Sequence, residues 1–194
     1  MVMRTVIVFA RTPRRGAVKR RLAKAIGDAA ALRFHRLTLD ALVRRLTRDP
    51  RWRTVLCVTA GGYRWPRGVP RVGQARGGLG ARMARAVAAM PPGPVLLVGS
   101  DIPGIRPTHI ARAFRLLAAR DAVFGPASDG GYWLVGVRDR SLLTRLFDGV
   151  RWSTDHALAD TLANLPPGRA HALVDTLSDV DDAAAFARWR DGRR

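Results

Sequence analysis

Short apolar runs without polar alternation, each followed by a longer segment of helical period, constrain this chain more than any other feature. Thr5 to Ala10 reads T-V-I-V-F-A, Thr54 to Thr59 reads T-V-L-C-V-T, and Pro94 to Gly99 reads P-V-L-L-V-G. A strand with one wet face alternates; these runs do not, so they predict strands buried on both faces. Asp28 offers an N-cap for a helix whose Leu32, Leu39, Leu42, Val43 and Leu46 share one stripe. Leu79 to Met90 predicts a second helix, stopped by Pro91-Pro92-Gly93. Pro107-Thr108 opens a third, with Ile110, Ala113, Phe114, Leu117 and Ala118 at helical spacing. Ala122 to Gly125 and Tyr132 to Val137 predict two strands about the turn Pro126 to Gly131, an antiparallel excursion. Ser153 or Thr154 is expected to cap a helix carrying Leu158, Leu162 and Leu165. Ala170 to Val174 and Asp181 to Arg190 read as a last strand and a closing helix. Alternation of this kind predicts an α/β fold, a mostly parallel central sheet with helices on both faces. No repeat, low-complexity tract or linker interrupts it, so a single domain over residues 1–194 is expected.

Charge narrows the function classes less than it first suggests. The 34 basic residues against 15 acidic ones give a formal net charge of +19. The basic set is 32 Arg with Lys19 and Lys24, and the acidic set is Asp without any Glu, a pattern of compositional bias. Arg recurs in most of the predicted helices and loops, and no RRM, KH or helix-turn-helix signature accompanies it, so a nucleic-acid partner is disfavoured. Cys57 is the single cysteine and lies in an apolar run, which excludes disulfide scaffolds and cysteine-based zinc sites. No apolar stretch approaches the roughly 20 residues that span a bilayer, and Val6 to Ala10 is too short for a signal-peptide core. A cytoplasmic location is the expectation. Oligomeric state leaves no mark on the sequence.

In open α/β sheets, ligands bind outside the carboxyl ends of the strands, and the chemically informative residues follow the predicted strands. After the first strand, Arg11, Arg14, Arg15, Lys19, Arg20 and Arg21 surround Gly16. Forked guanidinium donors, a compact ammonium and a glycine that admits close backbone approach suit a polyphosphate, although a solvated basic loop would read the same way. Asp101 follows the third strand, where one carboxylate can carry Mg²⁺ or Mn²⁺ to a diphosphate or else form an Asx turn before Pro103. Asp129-Gly130-Gly131-Tyr132-Trp133 sets a carboxylate and aromatics for gripping a polyhydroxyl group, or simply makes a hairpin turn. Asp179, Asp181 and Asp182 precede the last helix, as helix-start acids or as the source of a second metal ligand. Other templates fail: no G-x-x-x-x-G-K-[ST] loop occurs, and Met83 stands at the third glycine of a G-x-G-x-x-G run begun by Gly78 and Gly80. Ile102 breaks a nucleophile elbow at Ser100. The four histidines are scattered, so each reads as surface or helix packing.

These segments resemble a known bacterial family. F-A-R-T-P-R-R-G-A-V-K-R-R-L (Phe9 to Leu22) resembles the opening F-A-K-x-P-x-x-G-x-V-K-T-R-L of the DUF2064 family, a group labelled glycosyltransferases by analogy and given the GT-A nucleotide-diphospho-sugar transferase fold. Gly78 to Met83 resembles its G-x-L-G-x-R-M segment, and Val98 to Gly104 its G-S-D-x-P stretch. Gly125 to Gly136 is similar to its G-P-x-x-D-G-G-Y-x-L-x-G, Trp152 to Thr154 to its W-S-T, and Ser178 to Asp181 to its final D-V-D. The six matches run in family order from about residue 5 to 185. Arg11 replaces the family's Lys, Arg20 its Thr, and the T-P-E-D-L after Asp181 becomes D-A-A-A-F.

The resemblance implies a single GT-A-like domain and a transferase. Asp101 and Asp181 would hold a divalent cation, Mg²⁺ or Mn²⁺. Arg11, Arg14, Arg15, Gly16, Lys19, Arg21, Gly80 and Arg82 would bind the nucleotide phosphates. Asp129 and Lys19 would be catalytic, and Gly130, Gly131, Tyr132, Trp152, Ser153 and Thr154 would contact sugar or acceptor. The partner would be a nucleotide-sugar with a small acceptor, the glycosyl group being transferred. One departure keeps a second activity open. Gly99 occupies the first carboxylate position of the D-x-D pair typical of many metal-dependent GT-A enzymes. A lone Asp at the strand end with a distant Asp181 also resembles the nucleotidyltransferases of the same fold, which use a nucleoside triphosphate and release pyrophosphate.

Overall fold

Backbone hydrogen bonds join seven strands of the computed structural model, which describes residues 3–192, into one sheet. In chain order they are β1 (Thr5–Ala10), β2 (Arg53–Val58), β3 (Arg71–Gly73), β4 (Val95–Gly99), β5 (Ala122–Pro126), β6 (Tyr132–Val137) and β7 (His171–Leu173). Their spatial order is β3-β2-β1-β4-β6-β5-β7. Every pairing is parallel except those of β6, which runs antiparallel to both β4 and β5. The unalternated runs thus occupy the centre, and the predicted antiparallel excursion is the β5–β6 pair.

Seven helices complete the described chain: α1 (Arg20–Ile26), α2 (Asp28–Thr47), α3 (Leu79–Ala88), α4 (Pro107–Ala119), α5 (Leu142–Leu146), α6 (Ala157–Ala163) and α7 (Ala183–Asp191). Because successive residues of a strand point to opposite faces, β1 feeds two cores at once. Val6, Val8 and Ala10 pack with Leu39, Leu42 and Leu46 of α2 and Ile110, Phe114 and Leu117 of α4. Ile7 packs on the other face with Met83 and Val87 of α3 and Leu143 and Leu146 of α5. A third cluster, Leu22, Ala31, Phe34 and Val180 with Phe186, ties α1, α2 and α7 together. No described helix is long and apolar enough to cross a membrane.

Three local expectations are corrected. Asp28 is not an N-cap; Gly27 holds that place with φ 82, and Asp28 sits in the first turn. Neither Ser153 nor Thr154 caps α6. The helix starts later, behind His156, while the Thr154 hydroxyl accepts from the His156 amide at 3.2 Å. α3 ends at Ala88, before Met90. α1, β3 and α5 are additional to the expected elements, each too short to carry a periodic signal in the sequence.

Candidate functional site

The carboxyl ends of β1 and β4 and the opening end of antiparallel β6 meet along one edge of the sheet, since Phe9 pairs with Gly99 and Val98 with Leu134. A cleft of three lobes runs there, and Asp101 and Ser153 line all three. A cationic lobe is bounded by Arg11, Lys19, Arg20, Arg21 and His35 with Asp181. A second lobe, of about 280 Å³, carries Asp129, Asp179 and Asp181 with Tyr132 and Trp152. The third, of about 340 Å³, lies against Phe9, Leu79, Met83 and Leu97, with Gln74 and Arg82 as its polar end.

The electrostatic centre is a lysine between two carboxylates. Lys19 Nζ lies 2.5 Å from Asp181 Oδ1, to which it donates, and 3.1 Å from Asp101 Oδ1. Three elements converge to make this contact: the turn into α1, the end of β4 and the segment before α7. The Lys19 side chain is 2% exposed, whereas the two carboxylates are about half exposed. Burial alone would lower its pKa; the charges of Asp101 and Asp181 outweigh burial and raise it, so the ammonium persists. Lys19 caps α1 in the left-handed region, φ 50, and Ser153 across the cleft has φ 64. These are the only non-glycine residues with positive φ among those described. Such conformations cost about 1–3 kcal/mol each and concentrate at functional sites. Their meeting at one cleft marks it.

His35, read from sequence as a packing residue, belongs to this centre. It is buried, its Nε2 lies 3.3 Å from the Arg11 carbonyl, and its Nδ1 is 3.7 Å from Asp101 Oδ1. Burial lowers its pKa despite the nearby carboxylate of Asp101. A neutral ring donating from Nε2 to the carbonyl follows, since a carbonyl only accepts. Asp179, one of the three acids expected before the last helix, also lines the cleft. Burial, reinforced by Asp181 and Asp129, pushes its carboxyl above the ordinary range.

The remaining expected residues divide between the cleft and elsewhere. Arg11 and Arg21 line the cationic lobe, and Arg21 also pairs with Asp182 at 3.2 Å. Arg14 and Arg15 are exposed on the adjoining turn, outside the three linings, and Gly16 completes that turn with φ 73. Gly80 is buried in α3 for packing: a Cβ there would lie 2.7 Å from Phe147 Cβ. Arg82 faces the third lobe, donating to Gln74 Oε1 at 2.9 Å, with its Nε buried and unpaired. Gln74 is itself fixed by donating to the carbonyls of Ala10 and Cys57.

Asp129 uses one oxygen to accept from the Gly131 amide at 3.0 Å, so the turn reading holds and the second oxygen is left for a ligand. Gly130 is demanded by contact, because its φ is 83 and a Cβ would lie 2.2 Å from the Asp155 carbonyl oxygen. Gly131, Tyr132, Trp152, Ser153 and Thr154 all line the second lobe. Trp133 has its indole N–H on the Asp175 carbonyl and is core. Asp182 caps α7 through the Ala185 amide, leaving Asp181 to the cleft.

The donor set can be tested against a divalent cation. Among the described residues no three His, Cys, Asp or Glu side chains converge to hold a metal by themselves. Asp101 and Asp181 nevertheless fit the mode in which Mg²⁺ is held by one or two carboxylates and completed by substrate phosphates and water. Both are hard oxygen donors, both are accessible, and Lys19 already draws them towards one point.

A mostly parallel sheet with this cleft at its carboxyl edge is the nucleotide-diphospho-sugar transferase fold. A provisionally assigned nucleotide-diphospho-sugar transferase from Desulfovibrio desulfuricans G20 matches with TM-score 0.84 at 23% identity, over 100% of this chain and 96% of that one. The chain belongs to the DUF2064 family, described as an uncharacterized protein conserved in bacteria, whose profile matches residues 35–154. Rv0371c of Mycobacterium tuberculosis H37Rv, in complex with manganese, matches with TM-score 0.56 at 16% identity over 97% of each chain. The 4-diphosphocytidyl-2C-methyl-D-erythritol synthase of Anaerococcus prevotii DSM 20548 matches with TM-score 0.63 at 10% identity, over 100% of this chain and 99% of that one. No protein of curated function matches the sequence.

Proposed function

We propose that the chain is a metal-dependent transferase that moves a glycosyl group from a nucleotide-diphosphate sugar to an acceptor. The observation that carries this reading is the junction of unlike lobes. A cationic lobe suited to a diphosphate opens, past Asp101 and Ser153, into a carboxylate and aromatic lobe suited to a sugar. Arg11, Lys19 and Arg21 stabilise charge growing on the departing nucleoside diphosphate. Asp101 and Asp181 would hold the divalent cation, which would supply Lewis-acid neutralisation of the phosphate charge. Asp129, held by its turn, orients a hydroxyl or accepts the acceptor's proton. The manganese complex of Rv0371c supports the choice of metal.

A second reading, nucleotidyl transfer, is favoured by one observation: Asp101 and Asp181 come from separate segments rather than from an adjacent pair. The likeness to the Anaerococcus synthase points the same way. There a phosphorylated substrate attacks the α-phosphorus of a nucleoside triphosphate and pyrophosphate leaves, by positioning and electrostatics.

Thermal unfolding with nucleotide-sugars and nucleoside triphosphates, with and without Mn²⁺, tests both. A ligand at 100 times its dissociation constant adds about 2.7 kcal/mol, which in a chain of this length raises Tm by about 5–10 °C. Nucleotide-sugars are expected to give that shift with Mn²⁺, and Asp101→Asn and Asp181→Asn to lose it. Release of nucleoside diphosphate then marks glycosyl transfer, and release of pyrophosphate from a triphosphate marks the second reading. No shift with any nucleotide overturns both.

A further inference from the structure

We infer that Lys19 is a resident cation which keeps divalent metal out of the Asp101–Asp181 pair until a phosphate draws it away, so that metal and phosphate load together. The inference rests on the preceding reading of those carboxylates as metal ligands. Its basis is occupancy. Asp101 and Asp181 are the carboxylates that would hold the cation, and Lys19 Nζ already lies 3.1 and 2.5 Å from one oxygen of each.

The ammonium is placed there by the fold. Its stem is buried, its backbone is held in the left-handed region, and the Ala23 amide donates to its carbonyl at 2.8 Å. A divalent ion entering beside these oxygens would meet the ammonium a few ångströms away, and like charges at that distance repel. Two carboxylates and one ammonium sum to a single negative charge, a poor trap for a free divalent ion. A phosphate changes the balance. Arg11, Arg20 and Arg21 line the same lobe as Lys19, so a phosphate held there offers Nζ a new acceptor. Lys19 turns to the phosphate, and both carboxylates are released to the metal. Coupling of this kind is reciprocal: phosphate tightens metal by the factor by which metal tightens phosphate.

The test is Mn²⁺ binding to the full chain, followed by the EPR signal of free Mn²⁺, for the wild-type protein, Lys19→Met and Lys19→Gln, with and without inorganic pyrophosphate. Removal of the ammonium is expected to tighten Mn²⁺ at least tenfold without pyrophosphate. Pyrophosphate is expected to tighten Mn²⁺ at least tenfold in the wild type and less than threefold in the variants. A further readout needs no substitution. With only two lysines in the sequence, ¹³C-lysine labelling gives two side-chain Cε signals. That of Lys19 should stay fixed with Mg²⁺ alone and move with Mg²⁺ and pyrophosphate together. Variants that bind Mn²⁺ no tighter than the wild type, or a Lys19 signal that moves with Mg²⁺ alone, overturn the exclusion while the metal reading stands. Absence of Mn²⁺ binding in every protein, pyrophosphate included, overturns the metal reading and the inference with it.

Discussion

Replacing Gly130 by alanine tests the cleft through backbone geometry alone. Gly130 has φ 83, and its missing side chain lets the turn of Asp129 lie directly on the Asp155 backbone. A Cβ would fall 2.2 Å from the Asp155 carbonyl oxygen and 2.5 Å from its Cα, atoms that no side-chain rotation can clear. Two costs add. Holding an L-residue in the left-handed region costs about 1–2 kcal/mol, and forcing a methyl into packed surroundings about 1–3 kcal/mol. The total is about 2–5 kcal/mol. Gly149 supplies the control, because it has φ 61 with nothing within 4 Å of its would-be Cβ. Gly149→Ala should therefore lose only the first amount. At about 2–4 °C per kcal/mol for a chain of this size, Gly130→Ala should unfold about 4–20 °C below the wild type and Gly149→Ala about 2–8 °C below, with the first consistently lower. Urea titrations give the same comparison as free energies. The loss should reach the site as well, because the Leu158 amide donates to the Gly130 carbonyl at 3.0 Å and the turn carries Asp129. Equal stability losses for the two alanines would refute the close approach of residues 130 and 155.

His35 should leave a mark on stability against pH. Burial holds its folded pKa below 6.5, against the opposing pull of Asp101 and Asp181 and with the help of Lys19. The unfolded chain therefore binds the proton first as pH falls through 6.5, and stability is lost on acidification, by at most about 1.4 kcal/mol per pH unit for one group. Urea titrations from pH 7.5 to 5 should show this slope, and His35→Gln should flatten it; an unchanged slope would mean that His35 is not held neutral. Cys57 is buried on β2, and burial pushes its thiol up to about 11. A thiol reagent at pH 8 should leave the native protein unlabelled and modify the urea-unfolded chain promptly. Rapid stoichiometric labelling of the folded protein would contradict that burial.

The fold was legible because burial on both faces leaves a plain trace: T-V-I-V-F-A and P-V-L-L-V-G carry no polar alternation, and they became the adjacent central strands β1 and β4. β3 left no such trace. It has three residues, pairs on one side only, and is exposed or half-buried throughout. Its neglect hid Gln74, whose place in the cleft is set by hydrogen bonds to two strand carbonyls. Asp101 and Asp181 sit in recognisable segments, yet their meeting across Lys19 depends on α7 docking on α1 and α2 through Val180, Phe186 and Trp189. Nothing in the spacing announces that contact. Gly80 entered through the resemblance to the G-x-L-G-x-R-M segment; in the fold it lies outside the three cleft linings and admits Phe147 and Trp152 against the helix.

The composition acquires a sharper meaning at this centre. Thirty-two of the 34 basic residues are arginine, so the two lysines stand out against a strong background. Lys24 lies in the last turn of α1, where a cation favourably meets the helix C-terminus and arginine would serve as well. Position 19 is different. Its cation lies within 3.1 Å of one oxygen from each of two carboxylates on different segments, which calls for a compact charge with donors in several directions. The guanidinium is a planar fork suited to gripping two oxygens of one group. An arginine there would engage one carboxylate side-on and leave the other without its cation. The arginines instead line the wall of the cationic lobe, where a forked donor suits phosphate oxygens. The net charge of +19 thus separates into a dispersed background, a guanidinium wall and one ammonium at the carboxylate pair, and the proposed function draws only on the last two.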